Sequence, residues 1–362
     1  MIPRGPTASR PPVGISSPSL LSICYNQAVS IQHQILGGAG RDNALLLHVN
    51  TGQSVDRLLF DCGDGVLSAL PFAEIQRIDH LLFSHLHMDH IGGFDSFFRC
   101  TYNREGKPNV LWGPPESARI LHHRFRGFMW NLHGDKAVTW RVCEVAEDAV
   151  ACTRFTLQDA FETAYPEGMR PFSGTLIAEE AYTVEAMHLE HRVPSLGFLV
   201  REPVRRNVDR AKLQALHLPP GPWLQQVKAP APGQSEIAVD GTRFRVEELQ
   251  TELLTEAPGD CIAYLTDFRL DDVAMARLVP WLQGCRTLVC ESAYRTAEAD
   301  LARQNYHVTT VQAAELARQA GVSRLILIHL SDRYPSDTWP ELLAEARAVF
   351  PRTDFPRGWV PG

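Results

Sequence analysis

The stretch His85-Leu86-His87-Met88-Asp89-His90 packs four metal-ligand side chains into six residues, which limits the folds this chain can adopt. It follows the apolar run Leu81-Leu82-Phe83 and precedes Gly92-Gly93. A short apolar run bounded by polar residues reads as a buried strand. The cluster therefore falls on the loop just past a strand, held rigidly yet open to substrate. Imidazole and carboxylate without thiolate suit zinc in a catalytic, water-bearing site better than a closed structural one. The bland alternative is a satisfied surface histidine cluster, and the spacing at a strand end argues against it.

Four ligands from one loop cannot complete a two-metal site. His191 follows the alternating stretch Tyr182-Thr183-Val184-Glu185-Ala186-Met187-His188, Asp267 ends the run Cys261–Thr266, and His329 ends Leu325-Ile326-Leu327-Ile328. Each sits where a strand-like run stops, as His85 does. Strand ends along one edge of a sheet are where such folds gather function. Singly, each would read as a cap, a turn residue or a core histidine; their shared position joins them.

With these residues in place, the chain resembles the metallo-β-lactamase superfamily and, within it, the ribonuclease Z (tRNA 3′-processing endoribonuclease) branch. Asp61-Cys62-Gly63-Asp64-Gly65 is similar to the first motif and residues 85–90 to the second, with His191, Asp267 and His329 following in order. Those features define only the superfamily, which also holds lactamases, thioesterases, lactonases and sulfatases. The branch is suggested by His329-Leu330-Ser331-Asp332-Arg333-Tyr334, similar to a His-Phe-Ser-x-Arg-Tyr ending, and by Trp112-Gly113-Pro114. Glu291-Ser292-Ala293 with His307-Val308-Thr309 resembles paired HEAT and HST loops, and Pro220–Lys228 resembles the Gly-Pro segment of a tRNA-gripping arm. The chain departs from the pattern at Cys290, where the HEAT loop has His, at Val66-Leu67, at Val308, and in the early glycine loop Leu36–Arg41. A cysteine cannot relay protons as a histidine would, so Cys290 implies a reduced rate or an altered substrate. Residues 145–180 read as an insertion relative to a compact member.

The resemblance implies an α/β fold, a four-layer αββα sandwich. It also implies two zinc ions per chain, with manganese or iron tolerated by similar ligands. His85, His87 and His191 would hold the first, Asp89, His90 and His329 the second, and Asp267 would bridge them. A hydroxide between the ions would attack the phosphodiester, removing the 3′ trailer of precursor tRNA. Asp61 would orient a ligand imidazole from behind. Asp89, Glu291 and His307 are the expected catalytic residues, His307 acting as general acid with Glu291 orienting it. Arg205, Arg206, Gly221, Pro222, Lys228 and Arg333 are the expected substrate contacts. A homodimer is implied as well. One alternative is a phosphodiesterase for a smaller substrate on the same metal site. Another is a silent RNA-binding paralogue, which would have no need of seven ligands.

At 362 residues and 44% hydrophobic, the chain can bury a large core as a single domain over 19–362. Residues 1–18 are Pro/Ser-rich and read as a disordered tail without a signal-peptide core. No apolar stretch is long enough to cross a bilayer. Eight cysteines form no CxxC pair, and reduced thiols in the cytoplasm are the expectation. The net charge of −7 argues mildly against general nucleic-acid binding. Within a possible arm at 201–260, however, residues 201–228 carry six basic side chains (Arg201, Arg205, Arg206, Arg210, Lys212, Lys228) against Glu202 and Asp209. The pattern predicts a hairpin over 44–49 and 57–61, strands at 80–84 and 109–112, and helices at 115–126 and 208–217. A β–α alternation is expected after Asp267, with helices 271–283, 309–320 and 337–347 and strands 286–290 and 324–328.

Overall fold

Strand alternation sets the layers of this molecule. The structure, a computed structural model, describes residues 31–131 and 136–359, so the Pro/Ser-rich stretch 1–18 lies outside the described residues. β1 (Ile31–Gly37), β2 (Asn43–Asn50), β3 (Val55–Phe60), β4 (His80–Leu82), β5 (Asn109–Gly113), β6 (Thr139–Val145), β7 (Ala149–Thr156) and β8 (Tyr165–Pro171) join in that order into one sheet. Pairing is parallel from β3 to β6 and antiparallel at both flanks. Along β2, Leu45, Leu47 and Val49 enter one core while Ala44 and Leu46 enter another. β3 repeats the division, with Leu58 and Phe60 on one side and Leu59 on the other. Both faces are therefore covered, and the strands read as near-continuous apolar runs.

Helices fill the links of this first sheet: α1 (Phe72–Ile75), α2 (Met88–Ile91), α3 (Phe94–Thr101) and α4 (Ser117–Phe125). Phe94, Phe97 and Phe98 of α3 and Phe125 of α4 close on Trp140 of β6 to form the outer core. The inner core lies against a second sheet that begins with β9 (Thr175–Ala178), β10 (Thr183–His191) and β11 (Val193–Arg201).

The chain then leaves both sheets. β12 (Arg205–Val208) leads through α5 (Arg210–Ala215), α6 (Trp223–Lys228), β13 (Glu236–Val239), β14 (Thr242–Arg245) and α7 (Val246–Leu253) to β15 (Leu254–Ala257). β12 and β15 pair as a two-stranded ribbon. Leu213, Trp223, Val227, Ile237, Val239, Val246, Leu249 and Leu253 form a small hydrophobic cluster of their own.

β16 (Cys261–Leu265), α8 (Asp272–Trp281), β17 (Thr287–Glu291), α9 (Ala299–Asn305), α10 (Thr310–Ala320), β18 (Arg324–Ile328), α11 (Trp339–Val349) and β19 (Thr353–Asp354) complete the molecule. The second sheet runs β19-β18-β17-β16-β11-β10-β9. Leu278, Ala313, Ala317, Leu342 and Ala346 cover its outer face from α8, α10 and α11. The result is the expected αββα sandwich. α10 shows how local the instructions are: Thr309 and Gln312 form a capping box, and Gly321 ends the helix at φ 67°.

Residues 145–180, read as an insertion, are built into the sheets: β7 and β8 extend the first and β9 forms an edge of the second. One expectation is corrected: not all thiols are reduced, because Cys143 and Cys152 form a disulfide. They face each other across the β6–β7 pairing with Cα atoms 4.1 Å apart, a juxtaposition made by hairpin register and not by a CxxC spacing. Cys62, Cys100, Cys261, Cys285 and Cys290 are free thiols.

Because the 205–257 segment has its own core, its stability is separable from that of the sandwich. Leu253→Ala, which empties a fully buried position of that core, should cost about 2–5 kcal/mol locally. Hydrogen exchange should accelerate across β12–β15 while β16–β18 remain protected.

Candidate metal centre

The C-terminal ends of the parallel strands supply most of the site. Asp61 follows β3, His85 lies past β4, Asp267 lies past β16, Glu291 ends β17 and His329 follows β18, while His191 ends β10. Asp61, Asp267 and His329 have left-handed backbones, with φ of 60°, 51° and 55°. A non-glycine residue there costs about 1–3 kcal/mol and persists only where its surroundings over-determine it. At each of these three positions the chain turns sharply out of its strand.

The 85–90 cluster is not a loop throughout: Asp89 and His90 lie on the single-turn helix α2. Gly63 and Gly93 permit this packing. A Cβ at Gly63 would fall 2.2 Å from the Asp89 carbonyl, and one at Gly93 would fall 2.1 Å from the Gly63 carbonyl. Without side chains, the Asp61–Gly65 loop hydrogen-bonds α2 directly, Cys62 N to His90 O at 2.8 Å and Gly93 N to Cys62 O at 2.9 Å.

The seven expected ligands converge as two sets of four that share Asp267. In the first set, His85 Nε2 and His87 Nδ1 are 3.1 Å apart and His191 Nε2 is 3.4 Å from His87 Nδ1. Asp267 Oδ2 lies 3.7 Å from His85 and 3.6 Å from His191. In the second, Asp89 Oδ2 is 3.4 Å from His90 Nε2 and 3.3 Å from His329 Nε2, and Asp267 Oδ1 is 3.3 and 3.4 Å from the same nitrogens. Four donors at about 2.1 Å around a tetrahedral ion stand about 3.4 Å apart. Both sets fit such an ion. The buried His90 Nε2 has no hydrogen-bond partner, as an atom directed at a cation should not.

The imidazoles are aimed from behind. Asp61 accepts from Ser84 N and Ser84 Oγ at 2.7 Å each, from Tyr264 Oη at 3.0 Å and from His90 Nδ1 at 2.8 Å. That last bond leaves His90 Nε2 facing the site. His191 Nδ1 donates to the Tyr306 carbonyl at 2.9 Å, and the His329 backbone N–H is held by Asn43 Oδ1 at 3.0 Å. Burial alone would keep His90 neutral, but Asp267 and Asp61 outweigh it and raise its pKa well above the usual imidazole value. Burial holds His85 far below that value. Asp267 is buried, yet the surrounding imidazoles, His329 foremost, hold it well below the carboxylate range.

Glu291 and His307 stand beside the second set. His307 Nδ1 is 3.0 Å from Glu291 Oε2, and Glu291 also accepts from Phe268 N and Val308 N at 2.8 and 3.2 Å. Burial disfavours charge on His307, but Glu291 and then Asp267 override it, and its pKa is pushed up to about 9. Cys290, one residue away, is fully buried in the core. The departure at that position therefore leaves the Glu291–His307 pair intact.

The expected substrate contacts are dispersed. Arg205 pairs with Glu202, and Arg206 lies 3.6 Å from Glu256. Gly221 and Pro222 precede α6 and Lys228 ends it. Arg333 stacks over Tyr294, 4.6 Å from the ring centroid, whose own ring is 5.9 Å from that of His307. Sequence reasoning missed Ser84, Tyr264, Tyr306 and Asn43. Ser84 adjoins the motif and could have been found there, whereas Tyr264 reads as one more core aromatic in an apolar run.

Removing the Asp61 carboxylate should free the His90 ring. Asp61→Asn is expected to weaken metal binding at the set that contains His90 by about 10–100-fold, read by chelator competition with zinc. Metal affinity should also fall as the pH drops through the imidazole range, because protons compete for the same nitrogens.

Among known proteins, the family model for the anti-Pycsar protein Apyc1 matches residues 41–215, less than half of the chain. A solved structure of the metallo-β-lactamase fold protein YhfI from Bacillus subtilis superposes with a TM-score of 0.52 at 14% identity, covering 90% of this chain and 95% of that one. That likeness concerns the fold. Ribonuclease Z of Geobacillus kaustophilus is 31% identical over 303 residues, covering 82% of this chain and 85% of the relative. Ribonuclease Z of Deinococcus radiodurans is 49% identical over 328 residues, covering 91% of this chain and 98% of the relative. An identity of that extent, over nearly the whole length of both chains, means that the chain belongs to the ribonuclease Z family.

Proposed function

We propose that the chain is a metal-dependent endoribonuclease that removes the 3′ trailer of precursor tRNA. The observation that carries this reading is the 49% identity to a ribonuclease Z along nearly its whole length, with the paired donor sets intact. Divalent cations held there would supply Lewis-acid charge at the phosphodiester and a nucleophile at neutral pH. Zinc, two ions per chain, is favoured by the imidazole and carboxylate donors and their tetrahedral spacing. His85, His87 and His191 form one ligand set, Asp89, His90 and His329 the other, and Asp267 serves both.

The remaining chemistry belongs to the side chains. Asp61 fixes the His90 ring. Glu291 holds Nδ1 of His307, so Nε2 is the nitrogen left to protonate the departing 3′ oxygen. Its raised pKa keeps that proton in place through neutral pH. Arg333, stacked beside the acid, and Arg205, Arg206, Gly221, Pro222 and Lys228 on the 201–260 arm are the proposed RNA contacts. A homodimer and a cytoplasmic location follow from the family resemblance. Among the described residues no helix is long and apolar enough to cross a membrane. One observation favours a smaller phosphodiester instead: Glu202 and Glu256 already pair with the two arm arginines.

A cleavage assay separates the readings. Zinc-loaded protein should cut a precursor tRNA once, after the discriminator base, whereas turnover of bis(p-nitrophenyl) phosphate with the tRNA left intact would favour the smaller substrate. His307→Ala should lower kcat on RNA by about 10²–10⁴-fold. It should lose less on the nitrophenyl ester, whose leaving group departs without a proton. The sign of the pH dependence follows from Glu291. The acid form is lost as pH rises through the His307 pKa, and removing the carboxylate lowers that pKa. Glu291→Gln should therefore move the alkaline limb of the kcat–pH profile to lower pH.

A further inference from the structure

Arg192 is the single residue at the tip of the β10–β11 hairpin, between the paired residues His191 and Val193. Its backbone is left-handed at φ 46°, a conformation that glycine or asparagine would adopt at less cost. Its exposed side chain lies over the Tyr306 ring, 5.3 Å from the centroid, and donates through Nη2 to the Gln304 carbonyl in the last turn of α9. Tyr306 is the residue that fixes the metal-facing His191 through its carbonyl, and it immediately precedes His307.

A second guanidinium, that of Arg269, stacks on the same ring at 5.1 Å. The two arginines differ in what neutralises them. Arg269 is held by Glu190 at 2.6 Å and Asp271 at 3.1 Å. Among the described residues no carboxylate pairs with Arg192. A guanidinium has five donor hydrogens, and Arg192 commits its Nη2 group to one carbonyl, leaving other donors on the exposed side chain of the residue that follows His191. Arg333 repeats the arrangement on Tyr294, again without a carboxylate partner among the described residues. Two arginine–tyrosine stacks thus lie on neighbours of His307, one on Tyr306, the residue before it, and one on Tyr294, whose ring is 5.9 Å from the His307 ring.

We propose that Arg192, seated on Tyr306, is a subsite for the phosphodiester next to the scissile linkage of a single-stranded RNA end. The guanidinium takes the phosphate oxygens, and the Tyr306 ring and the Gln304 carbonyl hold it at the tip of the β10–β11 hairpin. The subsite specifies RNA over small diesters, because only a polymer presents a neighbouring phosphate. This rests on the ribonuclease reading above.

The test is steady-state kinetics on precursor tRNA with zinc-loaded wild type, Arg192→Gln and Arg192→Lys, between about 50 and 200 mM salt. Loss of one charge-assisted contact should raise KM about tenfold in Arg192→Gln. The slope of log kcat/KM against log salt should become shallower by about 0.7, the signature of one phosphate contact on a single strand. Arg192→Lys should restore the slope but not the whole affinity, because the charge returns without the planar stack. A fall in kcat with KM and salt slope unchanged, accompanied by loss of zinc, would sink the subsite and leave Arg192 as an anchor of the hairpin. A wild type that hydrolyses bis(p-nitrophenyl) phosphate but leaves the RNA uncut would sink the ribonuclease reading and the subsite with it.

Discussion

Asp267 is a buried carboxylate with imidazole nitrogens of His85, His90, His191, His307 and His329 at 3.3 to 3.9 Å from its oxygens. A charge removed from water must be compensated nearby or it neutralises. Here the compensation comes from both halves of the sandwich at once, because His85 and His90 follow strands of the first sheet while His191, His307 and His329 lie in the half built on the second. The two oxygens divide the work, Oδ2 toward one ligand set and Oδ1 toward the other. The sandwich has to close at this edge for either set to exist.

Several other contacts tie the same edge together. Tyr264 of β16 reaches across to Asp61 at the end of β3, and Leu196 N–H of β11 donates to the Ser84 carbonyl at 2.8 Å. Asn43 at the start of β2 holds the backbone of His329. Each bond joins one sheet to the other within reach of a ligand. The left-handed residues Asp61, Asp267 and His329 are affordable for this reason: packing and hydrogen bonds from the facing sheet fix what local sterics disfavour. The Glu291–His307 pair is braced within the second half instead, since Glu291 accepts from the residue after Asp267 as well as from His307.

The structure divides accordingly between a braced site and a segment with its own core. The converging histidines and carboxylates sit at strand ends, on α2 and before α10, braced by two cores, whereas the 205–257 segment carries its own small cluster behind a two-stranded ribbon. Arg192 lies on the other side of that division, one residue from a ligand.

The histidines and aspartates that converge, the strands that present them and the helix at α10 were legible in the sequence because each pattern is local. His85–His90 is contiguous, and strand-like runs stop at His191, Asp267 and His329. Tertiary structure alone decided what stands behind them. Tyr264 is 203 residues from Asp61 in the chain, and nothing in an apolar run marks one tyrosine as a hydrogen-bond donor to a ligand's partner. The Cys143–Cys152 bridge depends on strand register, and the pairing of Arg205 and Arg206 with Glu202 and Glu256 on how the ribbon folds back. Local patterns determine which side chains a strand end offers. Which distant partners orient or neutralise them is settled only when the two sheets pack.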